Sequence, residues 1–231
     1  MSLDFAGFTV LTTVAIFNIY ALISALDAGR NAKLTVAICT ALWVGVQIAL
    51  ANAGAFSGEF GLVFPLVGLM VVLPPLLVLL MALISTQVRE VLVALPQPLL
   101  IGLNAARVFG FFFLLLAWDG RLGGPFPQSA GWGDVVTGIL AVPLAVFAAR
   151  GIGRRAVPYW NAFGAADLIA AVALGTLSFN GFVLQMIEQG AGSDAVLGLP
   201  WSIIPTVLVP FYLITHGIIF AQSRQWRTAA A

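Results

Sequence analysis

The chain is 231 residues long, 61% hydrophobic and only 8% charged, with a mean hydropathy of +1.06; this leaves too little polar surface to cover a soluble core of its size. A net charge of +1 with dispersed Lys and Arg excludes nucleic acid as a partner. The single cysteine, Cys39, excludes an internal disulfide and a Cys-based metal cluster, and inside an apolar run it reads as a small packed residue.

Lipid is the solvent that suits this composition. A spanning helix needs about 20 mostly apolar residues, and seven such runs are found: Phe5 to Leu26, Leu34 to Ala53, Leu62 to Ser85, Pro98 to Ala117, Val135 to Ala149, Asn161 to Phe179 and Trp201 to Gln222. The fifth is short and is expected to begin within Gly131 to Asp134, giving 132–149. The expected fold is therefore an all-α integral membrane protein, one polytopic domain over 1–231 with about seven transmembrane helices. Six-helix and eight-helix readings stay open at the fifth run and around Val88 to Leu95.

In chain order, the first run follows Asp4 rather than a basic stretch and is followed by positive charge, so it reads as a retained helix and not a signal peptide. With seven spans, Arg30, Lys33, Arg89, Arg150, Arg154, Arg155, Arg224 and Arg227 fall on one side and Arg121 alone on the other. The positive-inside rule then puts the amino terminus outside and the carboxyl terminus in the cytoplasm. Trp118, Trp132 and Trp201 belong to the outer aromatic belt and Trp160 and Trp226 to the inner one, with Trp43 the mid-span exception. The Ala-rich, Lys-poor composition without an Asn-x-Ser/Thr site points to a bacterial inner membrane.

Proline interrupts several runs: Pro74 and Pro75 in the third, Pro143 in the fifth, Pro205 and Pro210 in the seventh. Each removes a backbone donor, so carbonyls such as those of Met70, Val71 and Thr206 lose their usual partners and need another. Val88, Val91, Leu92 and Leu95 form a short amphipathic stripe, as do Phe182, Val183, Met186 and Ile187, and both read as interface packing. Trp118 to Asp134, with its glycines and prolines, reads as turns that cap the outer mouth.

Ionisable residues at membrane depth carry the functional information, because a charge there costs at least ~2.5 kcal/mol. Arg107 lies about 14 Å into the fourth span, Asp167 about two turns into the sixth, and His216 a similar distance from the end of the seventh. Asn104 shares a side with Arg107, Trp160 and Gly164 share one with Asp167, and Tyr212 shares one with His216, while Asn18 is at comparable depth on the first span. Ala162, Ala166 and Ala170 repeat at four-residue spacing and predict a closely packed sixth helix. Trp118, Asp119, Trp132 and Asp134, with Asn180, form a candidate outer mouth, although Asp134 after Gly133 reads rather as the amino-terminal cap of the fifth helix.

Two readings of the central set compete. In one, Arg107 and Asp167 form a structural ion pair with His216 and Asn104 beside it; in the other, they line a cavity where Arg107 holds an anionic or carbonyl-bearing ligand and Asp167 or His216 exchanges protons. The function expected is binding or transport of a small or lipid-like, anionic or proton-linked ligand. The alternative is a structural or accessory subunit with a protein partner or a second copy of the chain, and a membrane-embedded enzyme is third. The partners are membrane lipid and a small molecule, and no catalytic residue or metal ligand is assigned.

The inventory closes off sharper identities and leaves the cofactor unknown. The only lysine, Lys33, is in a loop, so retinal cannot form its Schiff base inside the bundle. One histidine is too few for a multi-histidine zinc site or bis-histidine haem, and His216 has no GxS serine partner. Pro96 and Gln97 spell a lone PQ dipeptide without a second copy three helices on, so no family's function is carried over from it.

Overall fold

The structure, a computed structural model, describes residues 2–57, 60–188 and 190–229. Among the described residues there is no strand, and seven helices are long and apolar enough to cross a membrane. Helix α1 spans Leu3–Ala25, α2 Arg30–Asn52 and α3 Phe60–Ile84. The short α4, Thr86–Val93, follows at once because Ser85 breaks from helical geometry and its hydroxyl accepts from the Val88 amide.

The fourth span is composite: α5, Gln97–Leu103, passes through a stretch of 3₁₀ turns, Asn104–Gly110, into α6, Phe111–Trp118. Helix α7 is Phe126–Ala149, α8 Ala156–Leu177 and the short α9 Val183–Glu188. The seventh span opens with a π-helical turn, Ile204–Leu208, that contains Pro205 and continues as α10, Val209–Ala229. Stretches of 3₁₀ and π geometry inside spans are uncommon and mark places where the backbone yields to packing or function.

Helix α7 begins at Phe126, six residues before the expected start at 132, and Trp118 to Asp134 is not one long turn-rich loop. Pro125 and Pro127 lie at the helix start, where a missing N–H costs nothing. Gly131 and Gly133 lie within the helix because neighbours press on them: a Cβ at Gly131 would meet the Leu114 side chain, and one at Gly133 would collide with the Asp167 carboxylate. What composition presents as turn chemistry is close packing. The real turn, 119–125, has Gly120 and Gly124 at φ of 72° and 69°.

Helix α10 is the axis of the bundle, with α3, α4, α5 and α8 packed on it. One core surrounds Trp201, which lies against Phe112 and over Gly7, where a Cβ would collide with the indole. The Trp201 indole N–H donates to Asp4 Oδ1 at 2.7 Å, and Arg121 Nη1 donates to the same oxygen at 2.7 Å, which pins the start of α1 to this end of the bundle. Trp160 is also buried, so neither tryptophan is a belt residue, whereas Trp118 and Trp132 are exposed. Two further expectations fail. Ala162 and Ala166 face outward while Val157, Trp160, Asn161, Gly164 and Leu168 form the packed face of α8, and Cys39 is exposed because α2 meets the bundle mainly through Trp43 and Gln47. Val183 and Met186 are exposed, and the side chains of Ile187, Trp226 and Arg227 lie outside the described residues.

Candidate functional site

The polar centre forms where the 3₁₀ stretch crosses α7. Gly138 permits the crossing, since a Cβ there would press into the backbone of Ala105, Arg107 and Val108. At the same level Gly110 leaves room for the Asp134 carboxylate, Gly133 for Asp167, and Gly164 for the His216 ring. Four glycines on three spans thus clear space, one for the crossing backbone and three for the Asp134, Asp167 and His216 side chains.

Arg107, 1% exposed along its side chain, is held on every side. Its Nε donates to Asp134 Oδ1 at 2.6 Å and its Nη2 to Asp167 Oδ2 at 2.6 Å, while Nη1 donates to the Gly164 carbonyl at 3.0 Å and to His216 Nε2 at 3.0 Å. Four of the five guanidinium N–H groups are therefore engaged. The Tyr212 ring lies 5.8 Å from the guanidinium carbon.

Hydrogen-bond chemistry fixes the state of His216. A guanidinium offers no acceptor, so Nε2 must be the acceptor and the ring proton sits on Nδ1. That Nδ1 donates to Asn161 Oδ1 at 2.8 Å, and Asn161 Nδ2 donates back to the His216 carbonyl at 3.1 Å. Trp160, whose ring lies 5.4 Å from the imidazole, donates its indole N–H to the Thr137 carbonyl at 3.1 Å. Neutral His216 is thereby clamped between α8 and the guanidinium.

The expected residues Arg107, Asp167, His216 and Tyr212 meet, and Asn18 reaches them from α1 by donating to the Tyr212 hydroxyl at 3.1 Å. Asn104 is buried one turn away and donates to Thr215 Oγ1 at 3.3 Å and to the Leu100 carbonyl at 2.9 Å rather than joining Arg107. Asp134 is not a helix cap: it lies two turns inside α7 with its carboxylate on Arg107. Of the expected outer-mouth set, Trp118, Asp119 and Trp132 are exposed, whereas Asp134 belongs to the centre. Sequence reasoning passed over Asn161 and Thr137, although Asn161 lies three residues before Gly164 on the Asp167 face and was visible as an amide at the edge of an apolar run.

Two cavities flank this centre. One of about 30 Å³, bounded by Arg107, Asp134, Gly110 and Tyr212, has room for a water and not for a larger anion. The other, about 90 Å³, lies between α3 and α8 and is lined by Val67, Val71, Phe126, Val172 and their neighbours. Phe113, Ile204 and Val209 wall both cavities. The hydroxyls on the larger one already donate to backbone, Thr176 to the Val172 carbonyl at 2.8 Å and Ser193 to the Gly175 carbonyl at 2.5 Å, so it offers mainly dispersion contact and no free hydroxyl donor from these two residues. Among the described residues no group of His, Cys, Asp and Glu is arranged to hold a metal ion.

Fold and site together define a class: a helical bundle that fits a multi-pass membrane protein and carries a buried arginine–carboxylate–histidine centre. The chain belongs to the family described as Domain of unknown function (DUF8737), whose model matches residues 64–224, well over half of the chain. That stretch includes Arg107, Asp134, Asp167, Tyr212 and His216, whereas Asn18 and Trp43 precede it. No curated protein and no solved structure matches.

Proposed function

We propose that the chain is a multi-pass protein of a bacterial inner membrane, amino terminus outside and carboxyl terminus cytoplasmic, that binds or passes a lipid-like ligand through the bundle. The observation that carries this reading is the wall shared by the two cavities. An apolar cleft able to hold a hydrocarbon chain ends on Phe113, Ile204 and Val209, directly behind which lies the Arg107 centre. The orientation is supported by the ends of the helices: Arg30, Arg89, Arg150, Arg154 and Arg155 lie at one end of the bundle and Arg121 at the other.

The test is native mass spectrometry of the gently solubilised protein beside a Val172→Trp variant that fills the cleft. A lipid-like molecule carried by the parent and lost from the folded variant supports ligand binding; an empty parent, or the same adduct in both, overturns it. One observation favours a second reading, that of an accessory subunit. With four guanidinium N–H groups satisfied inside the protein, the centre locks three helices onto the 3₁₀ stretch without any ligand. A stoichiometric protein partner on co-purification would move the function to that complex.

A further inference from the structure

We propose that Asp134 and Asp167 hold one exchangeable proton between them at neutral pH, which makes the Arg107 centre a proton-binding site. The inference rests on the polar centre alone and does not depend on the lipid cleft.

The charged and titratable groups around the pair are Arg107 on the 3₁₀ stretch, Asp134 on α7, Asp167 on α8, and Tyr212 and His216 on α10. Among the described residues around the pair, Arg107 supplies the only positive charge. His216 cannot supply another, because a second ring proton on Nε2 would point at the guanidinium N–H that already donates to it. Tyr212 accepts from Asn18 and brings no positive charge. With both carboxylates ionised the site would carry one uncompensated negative charge, the arrangement that buried groups relieve by taking up a proton.

The oxygens available for that proton are identifiable. Asp134 Oδ1 and Asp167 Oδ2 accept from the guanidinium. Among the described residues no donor hydrogen-bonds to Asp134 Oδ2 or Asp167 Oδ1, which lie against Gly110 and Gly133. Binding adds an O–H bond at one of these oxygens and turns that carboxylate into a neutral acid, while its other oxygen keeps the arginine contact; release reverses the step. The cavity on Arg107, Asp134 and Tyr212 has room for a water beside Asp134, where a proton can be handed on. The two side chains keep 13% and 8% exposure against 1% for Arg107, so the carboxylates and not the guanidinium face the way out. Of Asp167 and His216, the two groups expected to exchange protons, Asp167 thus keeps that role, shared with Asp134, and His216 does not take it.

Infrared difference spectroscopy in lipid at neutral pH tests this on the parent, Asp134→Asn and Asp167→Asn. The parent should show one carboxylic acid carbonyl band that shifts in heavy water. Each single variant should lose it completely, although one aspartate remains, because a single carboxylate opposite Arg107 stays ionised. Absence of the band in the parent overturns the proposal, as does its persistence in both variants. Should the variants fail to fold, the parent decides alone: stabilisation by sodium at fixed pH, with no acid band, assigns the compensating charge to a metal cation and overturns the proton. A parent that carries no lipid and still shows the band would count against the cleft and leave the proton site standing.

Discussion

Trp43 on α2 donates its indole N–H to the carbonyl of Thr206 across 3.2 Å. Thr206 lies four residues before Pro210, which has no amide to offer that carbonyl. A tryptophan in the middle of one span thus completes the interrupted backbone of another, and the same contact explains why α2, otherwise mostly exposed, stays on the bundle.

Trp43→Phe keeps the ring and removes the donor, so it should destabilise the protein by about 1–3 kcal/mol, the cost of a buried polar group left unpaired. Pro210→Ala restores a backbone amide and should recover part of that loss. Thermal melts in detergent of the two single variants and the double variant form a cycle, and strict additivity would show that the indole serves packing alone.

Arg107→Met leaves two carboxylates facing each other without a cation and should cost about 3–5 kcal/mol. Arg107→Lys should rescue little, because an ammonium cannot reproduce a planar fork directed at two carboxylates, a carbonyl and an imidazole. The triple variant Arg107→Met, Asp134→Asn, Asp167→Asn should melt above Arg107→Met alone, since it removes the stranded charges together with their partner. Equal melting temperatures for the two would mean that size and shape, not charge, hold the centre.

Glycine substitutions separate packing from helix propensity. Gly138→Ala should destabilise clearly, because its Cβ meets backbone that cannot move aside. Gly45→Ala, with nothing within 4 Å of its Cβ, should be neutral or gain roughly 0.5–1 kcal/mol. The difference in melting temperature between the two is the measurement, and equal shifts would remove the crossing at Gly138 as the reason for the 3₁₀ stretch.

At the Asp4 end, Asp4→Asn should cost less than about 1 kcal/mol, since the ion pair with Arg121 is a third to a half exposed and the amide oxygen still accepts from Trp201. Gly7→Ala should cost more, about 1–3 kcal/mol, by forcing the Trp201 ring out of place. A reversed order in chemical or thermal unfolding would assign this end to electrostatics instead of packing.

The spans were legible because lipid-length apolar runs are a one-dimensional signal, and Arg107, Asp167 and His216 were legible because ionisable residues stand out inside them. Helix rotation was not: when most faces of a helix are apolar, no periodicity says which one turns inward. Hence the alanine stripe of α8 points outward and Asn161, which clamps His216, went unnoticed. Asp134 was misplaced for a related reason. Its neighbours Gly131 and Gly133 look like turn residues in sequence, and only their contacts with Leu114 and Asp167 reveal that they are gaps left for other helices. The Trp43 contact was half visible, as a carbonyl in need of a donor and a tryptophan out of its belt, but nothing local joins residues 163 positions apart.

The share of each span buried inside the bundle runs from 6% for α2 to 67% for the seventh span, which is made after the other six. The earlier segments are therefore made before their main packing partner. Arg107 leaves the ribosome before Asp134 and Asp167, and both carboxylates emerge before His216. The polar centre is closed by its last-made member: until the seventh span is made, Arg107 lacks the His216 imidazole and the Trp43 indole lacks the Thr206 carbonyl.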